Sequence, residues 1–343
     1  MKIIITGGAG YIGSHTAIEA LRAGHEVVII DSFINSSREV LPMIEKASGS
    51  SPIVIDICMT RNPLEILEAI QEVASGADAL IHFAALKNSP ESTQVPLGYY
   101  RNNIDSLLSA IKISELLKIK SFVFSSSATV YGEPTELPIR ETQPITKGTT
   151  PYGTSKVIGE WILSDATKVS NIRSVALRYF NPAGADASGM IGELPLGKAA
   201  NLVPIITQAA AGVYEQPIKI TGVDFPTPDG SAIRDYVHVT DLAKAHLAAL
   251  EWLETQNINT FDVFNIGTGR GTSVIEMIDT FVMQVEPDLI TAEKADRRPG
   301  DPAEVWCDAS KAKSVLGWEA ELSVLDILKS AWTWEQKVRG LDI

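Results

Sequence analysis

Short runs rich in β-branched residues alternate with longer helix-period stretches through the first half of this chain, and that alternation restricts the fold more than any other feature. KIIIT (2–6), EVVII (26–30), PIVID (52–56), ALIHFAA (79–85), SFVFSSS (121–127) and SVALRYF (174–180) read as strands. Between them, residues 11–23, 61–75, about 95–118 and 153–170 gather apolar side chains on one helical face. Strand and helix in strict alternation dictate right-handed βαβ units, and hence a parallel sheet covered on both faces. The expected class is α/β, doubly wound, over residues 1–180. After the loop NPAGADASG (181–189) the alternation loosens, with helical patterns near 200–212, 240–254, 273–284 and 323–338. A smaller mixed α/β domain is therefore expected over 181–343, with segments near 233–266 returning to the first.

The first turn of the sheet points to a ligand. TGGAGYIG follows the first strand and opens the first helix. It satisfies G-x-G-x-x-G through Gly8, Gly10 and Gly13, and G-x-x-G-x-x-G through Gly7, Gly10 and Gly13. Such a loop makes a tight turn, lets backbone approach a pyrophosphate, and packs helix on strand at the third glycine. The helix start then offers free N–H groups and a positive dipole end to the diphosphate. Asp31 ends the second strand 18 residues after Gly13. A carboxylate there accepts from both ribose hydroxyls and repels a 2′-phosphate, which favours NAD over NADP. A glycine turn serving packing alone is the weaker reading, because strand, helix and acid all stand where a Rossmann-type site needs them.

Strand five ends in FSSSATVYG, which puts Ser125, Ser126 and Ser127 at the carboxyl edge of the sheet, where ligands bind in open α/β folds. TPYGTSKVIGE then sets Tyr152 and Lys156 four apart on a helix. A cation beside a phenol favours the phenolate and lowers a pKa that is ordinarily about 10. The spacing alone is common. A dinucleotide loop, a strand-end serine and Tyr-x-x-x-Lys in that order are far more specific.

Composition removes other classes. A net charge of −13 with no basic patch argues against nucleic acid and anionic membrane surfaces. No apolar stretch approaches the roughly 18 residues of a spanning helix. Met1 runs directly into the first strand, so no cleavable signal is expected and the reading is cytoplasmic. Cys58 and Cys307 form no framework and suit the core of a protein in a reducing compartment. The five histidines stand apart, so no metal site is expected.

At this point the sequence resembles the extended short-chain dehydrogenase/reductase family and, within it, the nucleotide-sugar 4-epimerases. The resemblance covers nearly the whole chain, through TGGAGYIGSHT, IHFAALK, YYRNN, SSSATVYG, PYGTSK, RYFNPAGA, DGSAIRDYVHV and RRPGD. It implies tightly held NAD, a UDP-sugar substrate, and inversion at C4 of a UDP-hexose through a transient 4-keto sugar. Galactose metabolism is the implied setting. Carried over by position, Tyr152 is the acid/base, Lys156 its electrostatic partner and ribose ligand, and Ser127 the hydroxyl that orients the C4 oxygen. Gly7, Gly10, Tyr11, Ile12, Gly13, Asp31, Ser32, Asn35, Ser36, Asp56, Ile57, Phe83, Ala84, Ala85, Lys87, Asn102 and Phe180 fall where the family contacts NAD. Lys87, Asn181, Asn201, Leu202, Thr221, Arg234, Arg298, Asp301 and Val305 fall where it contacts the nucleotide sugar. The arginines suit a diphosphate, since a guanidinium fork matches phosphate oxygens.

Ala85, Ser32 and Thr221 depart from the family's usual glycine, asparagine and aromatic residue, and the last removes a stacking partner for the uracil. Val305, four beyond Asp301, is small enough to leave room for an acetamido group on C2. The resemblance also implies a homodimer packed through helices 95–118 and 153–170. A dehydratase of the same family requires an Asp-Glu pair after the strand-five hydroxyl, where this chain has Ala128 and Thr129. A net dehydrogenase or reductase would release its cofactor each turnover, which the residues alone do not exclude. A non-enzymatic NAD sensor is disfavoured, because serine, tyrosine and lysine are all present.

Overall fold

The structure, a computed structural model, describes residues 1–195, 197–297 and 300–341. Its centre is a seven-stranded parallel sheet. The strands are β1 (Lys2–Thr6), β2 (Glu26–Asp31), β3 (Ile53–Asp56), β4 (Ala79–His82), β5 (Ser121–Ser127), β6 (Arg173–Tyr179) and an edge strand, Phe261–Ile266. From the Phe261–Ile266 edge the order is β6, β5, β4, β1, β2, β3. Side chains alternate across a strand, so each apolar run feeds two cores at once. Ile3 and Ile5 of β1 join one core, with Ala17 and Leu250, while Ile4 joins the other, with Ile70 and Leu107. A run of three consecutive isoleucines is what a strand buried on both faces requires.

The helices of this half are α1 (Tyr11–Arg22), α2 (Val40–Ser48), α3 (Pro63–Ala74), α4 (Ser89–Gln94), α5 (Pro96–Leu117) and α6 (Pro151–Val169). Neither α2 nor α4 shows in the sequence pattern. Only Val40 and Ile44 of α2 and Ser92 of α4 are buried, too few to set up a period. β4 stops at His82, short of the expected residue 85. Beyond it the chain leaves the sheet and is held instead by α5, where Ser106 donates to the Ala84 carbonyl and Asn103 to the Leu86 carbonyl. The segment 83–87 thus lies across the carboxyl end of the sheet.

The order reverses direction between β1 and β4, which opens a crevice at their carboxyl ends. Facing it is a third core, built where helices Leu202–Ala210, Val274–Gln284 and Val324–Arg339 pack through Ile206, Met277, Phe281 and Ile327. Its strands are short. Ile233–Arg234 lies between Thr272–Ser273 and Glu304–Val305, and Ile218–Thr221 pairs with Ala292–Ala295. Two contacts fasten this half to α1. The Tyr11 hydroxyl donates to the Gly184 carbonyl at 2.7 Å, and Arg22 holds Asp186 through two bonds of 2.7 and 3.0 Å. Cys307 is buried and Cys58 only half-buried, both as free thiols.

Candidate active site

The carboxyl ends of six strands form one wall of the crevice. At β1, Gly7 adopts φ 70°, and a methyl group there would lie 2.7 Å from the Ala84 nitrogen. At Gly13 a methyl would lie 2.4 Å from the Gly7 carbonyl oxygen, so α1 sits directly on the turn. Gly10 caps α1 without a side chain, which leaves the helix start open to an anion. Tyr11 and Ile12 begin that helix, and the Tyr11 phenol is pushed well above its ordinary pKa by burial and then by the nearby Glu193 carboxylate.

Asp31 is buried at the end of β2. One carboxylate oxygen accepts from the Ala9 N–H at 2.9 Å, and the other from the Phe33 N–H and the Ser36 hydroxyl, both at 2.9 Å. A carboxylate offers roughly four acceptor positions, so about one remains for a ribose hydroxyl, rather than the two expected. Ser32 follows it, half-buried, and Asn35 is exposed. Asp56 stands beside Asp31 in register, is followed by Ile57, and binds Arg38. Over the sheet, Phe83 tilts on His246, Ala84 approaches Gly7, and half-buried Ala85 continues the segment. Asn102 and Asn103 both accept from the Leu86 N–H, at 3.3 and 2.8 Å. The buried residue of the two is Asn103, and its amide continues to Ser155 on α6.

Ser127 closes β5, and its hydroxyl accepts from the Thr129 N–H as the chain turns into a 3-10 turn at Ala128–Tyr131. Thr150 caps α6 and Pro151 occupies its first position, which fixes where Tyr152 begins. The Ser92 hydroxyl of α4 accepts the Tyr152 N–H at 3.2 Å. One turn on, Lys156 is buried and gives its Nζ to the Ser125 carbonyl at 2.6 Å, 5.9 Å from the centre of the Tyr152 ring.

The phenol is not lowered as expected. Burial pushes the Tyr152 pKa up, and the Ser127 hydroxyl opposes it by a smaller amount. Burial also brings Lys156 down to about 7, against a smaller opposing pull from Glu160.

Glu160 belongs to a buried network that the sequence reading missed. Arg178 of β6 grips it through two bonds, at 2.9 and 2.7 Å, and donates a third to the Tyr131 hydroxyl at 2.8 Å. The Ser126 hydroxyl also donates to Glu160, so strands β5 and β6 and helix α6 are joined directly beneath Ser127 and Lys156. An arginine inside the apolar run SVALRYF was the available signal, since a buried cation requires a partner. Phe180 is buried past the end of β6 and Asn181 opens the short strand that follows.

Across the crevice, Arg234 pairs with Asp301 at 2.5 Å and donates to the Pro302 carbonyl at 2.9 Å. Val305 packs on the cluster that includes Phe180 and Val130. Thr221 ends its strand half-buried. Asn201 and Leu202 start a helix, and the Asn201 amide donates to Glu193 at 2.7 Å. Lys87 reaches the same carboxylate at 3.7 Å, so residues expected on the cofactor side and the sugar side meet there. Arg298 lies outside the described residues.

The NAD dependent epimerase/dehydratase family matches residues 3–267. A UDP-glucose 4-epimerase of Yersinia enterocolitica is 44% identical over 339 residues, covering 98% of each chain. The UDP-glucose-4-epimerase of Stenotrophomonas maltophila, solved with bound NAD and formylated UDP-arabinopyranose, superposes with a TM-score of 0.94 at 39% identity and covers 99% of each chain. That of Bifidobacterium longum, in complex with NAD+ and UDP, gives 0.92 at 40% identity over 100% of each.

Proposed function

The chain belongs to the NAD dependent epimerase/dehydratase family, and on that premise we propose that it is an isomerase interconverting UDP-galactose and UDP-glucose by epimerisation at C4. The observation that carries this is the convergence of Ser127, Tyr152 and Lys156 at the end of β5, in a crevice whose far wall holds Arg234, Asn201 and Val305. NAD fits the near wall. The turn at Gly7 and Gly13 has no room for side chains, α1 starts uncapped, and Asp31 keeps an acceptor position for a ribose hydroxyl.

When bound, NAD supplies the acceptor and donor of the C4 hydride. The remaining work falls to the chain. The Tyr152 phenol oxygen takes the proton of the C4 hydroxyl and gives it back, and the Ser127 hydroxyl holds sugar oxygen and phenol together. Burial disfavours a phenolate, so its formation depends on a fixed cation, which Lys156 supplies from its seat on the Ser125 carbonyl. Arg234, Asn201, Leu202 and Thr221 hold the nucleotide, and the sugar between them turns to offer its other face. Ala128 and Thr129, which follow Ser127, carry no acid for eliminating water, so a dehydratase is not supported.

Incubation of the purified protein with UDP-galactose, without added cofactor, should yield UDP-glucose and no accumulation of reduced nicotinamide. Absence of product, or product only in proportion to added NAD, overturns this reading. Val305 is a small residue packed on the cluster that includes Phe180, so UDP-N-acetylglucosamine should also turn over, more slowly.

The active form is a cytoplasmic homodimer joined through α5 and α6. Leu97 and Leu108 of α5 and Trp161 and Val169 of α6 are exposed on these adjacent helices, an apolar surface that a second copy would cover. No helix among the described residues is long and apolar enough to cross a membrane. Light scattering at micromolar concentration should give twice the chain mass, and a monomer would dismiss the dimer.

A further inference from the structure

Asp235 follows Arg234 along the sugar wall but turns the other way, as neighbours on an extended chain do. Arg234 reaches Asp301, whereas the Asp235 carboxylate is fully buried and reaches back to the end of the central sheet. One of its oxygens accepts from the Thr268 N–H and the Thr268 hydroxyl, both at 2.7 Å. The other accepts from the Gly269 N–H at 3.1 Å, and from the Cys307 N–H and thiol, both at 3.3 Å. A methyl group on Gly267 would lie 2.6 Å from that second oxygen and 2.6 Å from the Cys307 sulfur, so the turn after strand Phe261–Ile266 presses on this carboxylate. The Asp235 backbone is engaged as well. Its N–H donates to the Val305 carbonyl at 3.1 Å, and its carbonyl accepts from the Asn181 N–H at 2.9 Å.

All of these side-chain donors are neutral. Burial pushes the Asp235 pKa up, and the bonds from Thr268 and Cys307 oppose it. A buried charge held without a cation is costly, and apolar packing would fill the same space with a smaller penalty. What a carboxylate adds is direction, because two oxygens fix donors from separate segments at set distances. We propose that Asp235 is a positioning residue for the sugar: its carboxylate draws the 267–269 turn and Cys307 together, and so sets where Arg234, Val305 and Asn181 stand across from Ser127 and Tyr152. Ser127, Tyr152 and Lys156 are carried by β5 and α6. The Asp235 carboxylate bonds to neither element, so weakening its hold should misplace the substrate and leave proton transfer intact.

This inference rests on the nucleotide-sugar reading above. The test measures kcat and KM for UDP-galactose in the parent, Asp235→Asn, Thr268→Val and Thr268→Ser, with bound NAD and thermal midpoint followed alongside. Asparagine keeps the shape but puts an NH2 group where one oxygen accepted, so the donors on that side lose their acceptor. KM should rise about tenfold while kcat stays within about threefold, the pattern of lost binding shared by ground and transition states. A residue that only stabilised the fold would lower the thermal midpoint and the active fraction, and would leave KM where it was. Thr268→Val removes one donor and should raise KM about threefold, whereas Thr268→Ser keeps the hydroxyl and should match the parent. If Asp235→Asn does not fold, the contrast between the two Thr268 variants decides. An unchanged KM in Asp235→Asn, or equal effects of Thr268→Val and Thr268→Ser, overturns the role of Asp235. A parent that does not turn over UDP-galactose overturns instead the nucleotide-sugar reading itself.

Discussion

The two walls of the crevice are built by different forces. The cofactor wall is a product of packing: strand ends in parallel register, and glycines whose missing side chains let α1 rest on the turn. The sugar wall is a set of short segments held by polar contacts, such as Arg234 with Asp301 and Asn201 with Glu193. Packing tolerates little change, because a misplaced methyl meets backbone on several sides. Half-exposed polar contacts weaken by degrees, since water replaces much of what is lost. Substitutions in the first wall should therefore fail abruptly, and those in the second gradually.

The largest effect is expected at the residue assigned to the proton transfer. Tyr152→Phe should lower kcat roughly 1,000-fold while NAD content and UDP affinity hold, as steady-state kinetics and calorimetry will tell. Unchanged turnover would remove Tyr152 from the chemistry. Next is Arg178→Met, which leaves Glu160 charged and buried without its partner. Denaturant titration should show a loss of about 3–5 kcal/mol.

Gly13→Ala tests the packing argument directly. The added methyl has nowhere to go, so the purified protein should lose its bound NAD and at least about 100-fold in activity. Retention of NAD at the parent level would mean that the turn can yield, and the contrast between the walls would fail.

His246 connects the first wall to pH. It is fully buried, accepts from the Tyr179 hydroxyl through Nε2, and is held at about 4 by burial, against 6.5 when unfolded. Its folded pKa is depressed, so the stability it supports is complete above 6.5 and is lost as pH falls through 4. Between pH 7 and pH 5 this amounts to about 2 kcal/mol, which a His246→Gln variant should not show in paired urea titrations.

The smallest change in stability belongs to the sugar wall. Arg234→Met should cost about 1 kcal/mol or less, because the pair is partly exposed, yet UDP should bind measurably more weakly. A loss as large as that of Arg178→Met would erase the distinction between the walls.

The same contrast explains what could be read in advance. Six of the seven strands and the helices α1, α3, α5 and α6 show because each is a local apolar run or period, while the edge strand Phe261–Ile266 does not. The motif positions Ser127, Tyr152 and Lys156 are local too, and the structure brings them together. Arg178 and Glu160 were half-visible: a cation in an apolar strand, and an acid one turn beyond Lys156, each asking for a partner that the chain supplies 18 residues away. Asn103 was overlooked for its neighbour Asn102, because burial rather than residue type separates them. Glu193 left no trace, since its meaning depends on Lys87, which lies over a hundred residues earlier. The raised phenol was missed for a related reason, because desolvation is a property of the folded surroundings and spacing says nothing of it.

Helix α6 carries one further implication, a matter of phase. Its residues 152, 156 and 160 face the reaction and the buried network, while Trp161 and Val169 face outward. Adjacent residues on a helix point about 100° apart. Deleting a single residue between Lys156 and Glu160 would rotate everything after it by that angle. The indole of Trp161 would then swing to where the Glu160 carboxylate meets Arg178, and the outer face would lose its apolar stripe. Away from Tyr152, Lys156 and Glu160 the side chains of this helix can drift in identity, but its count of residues cannot.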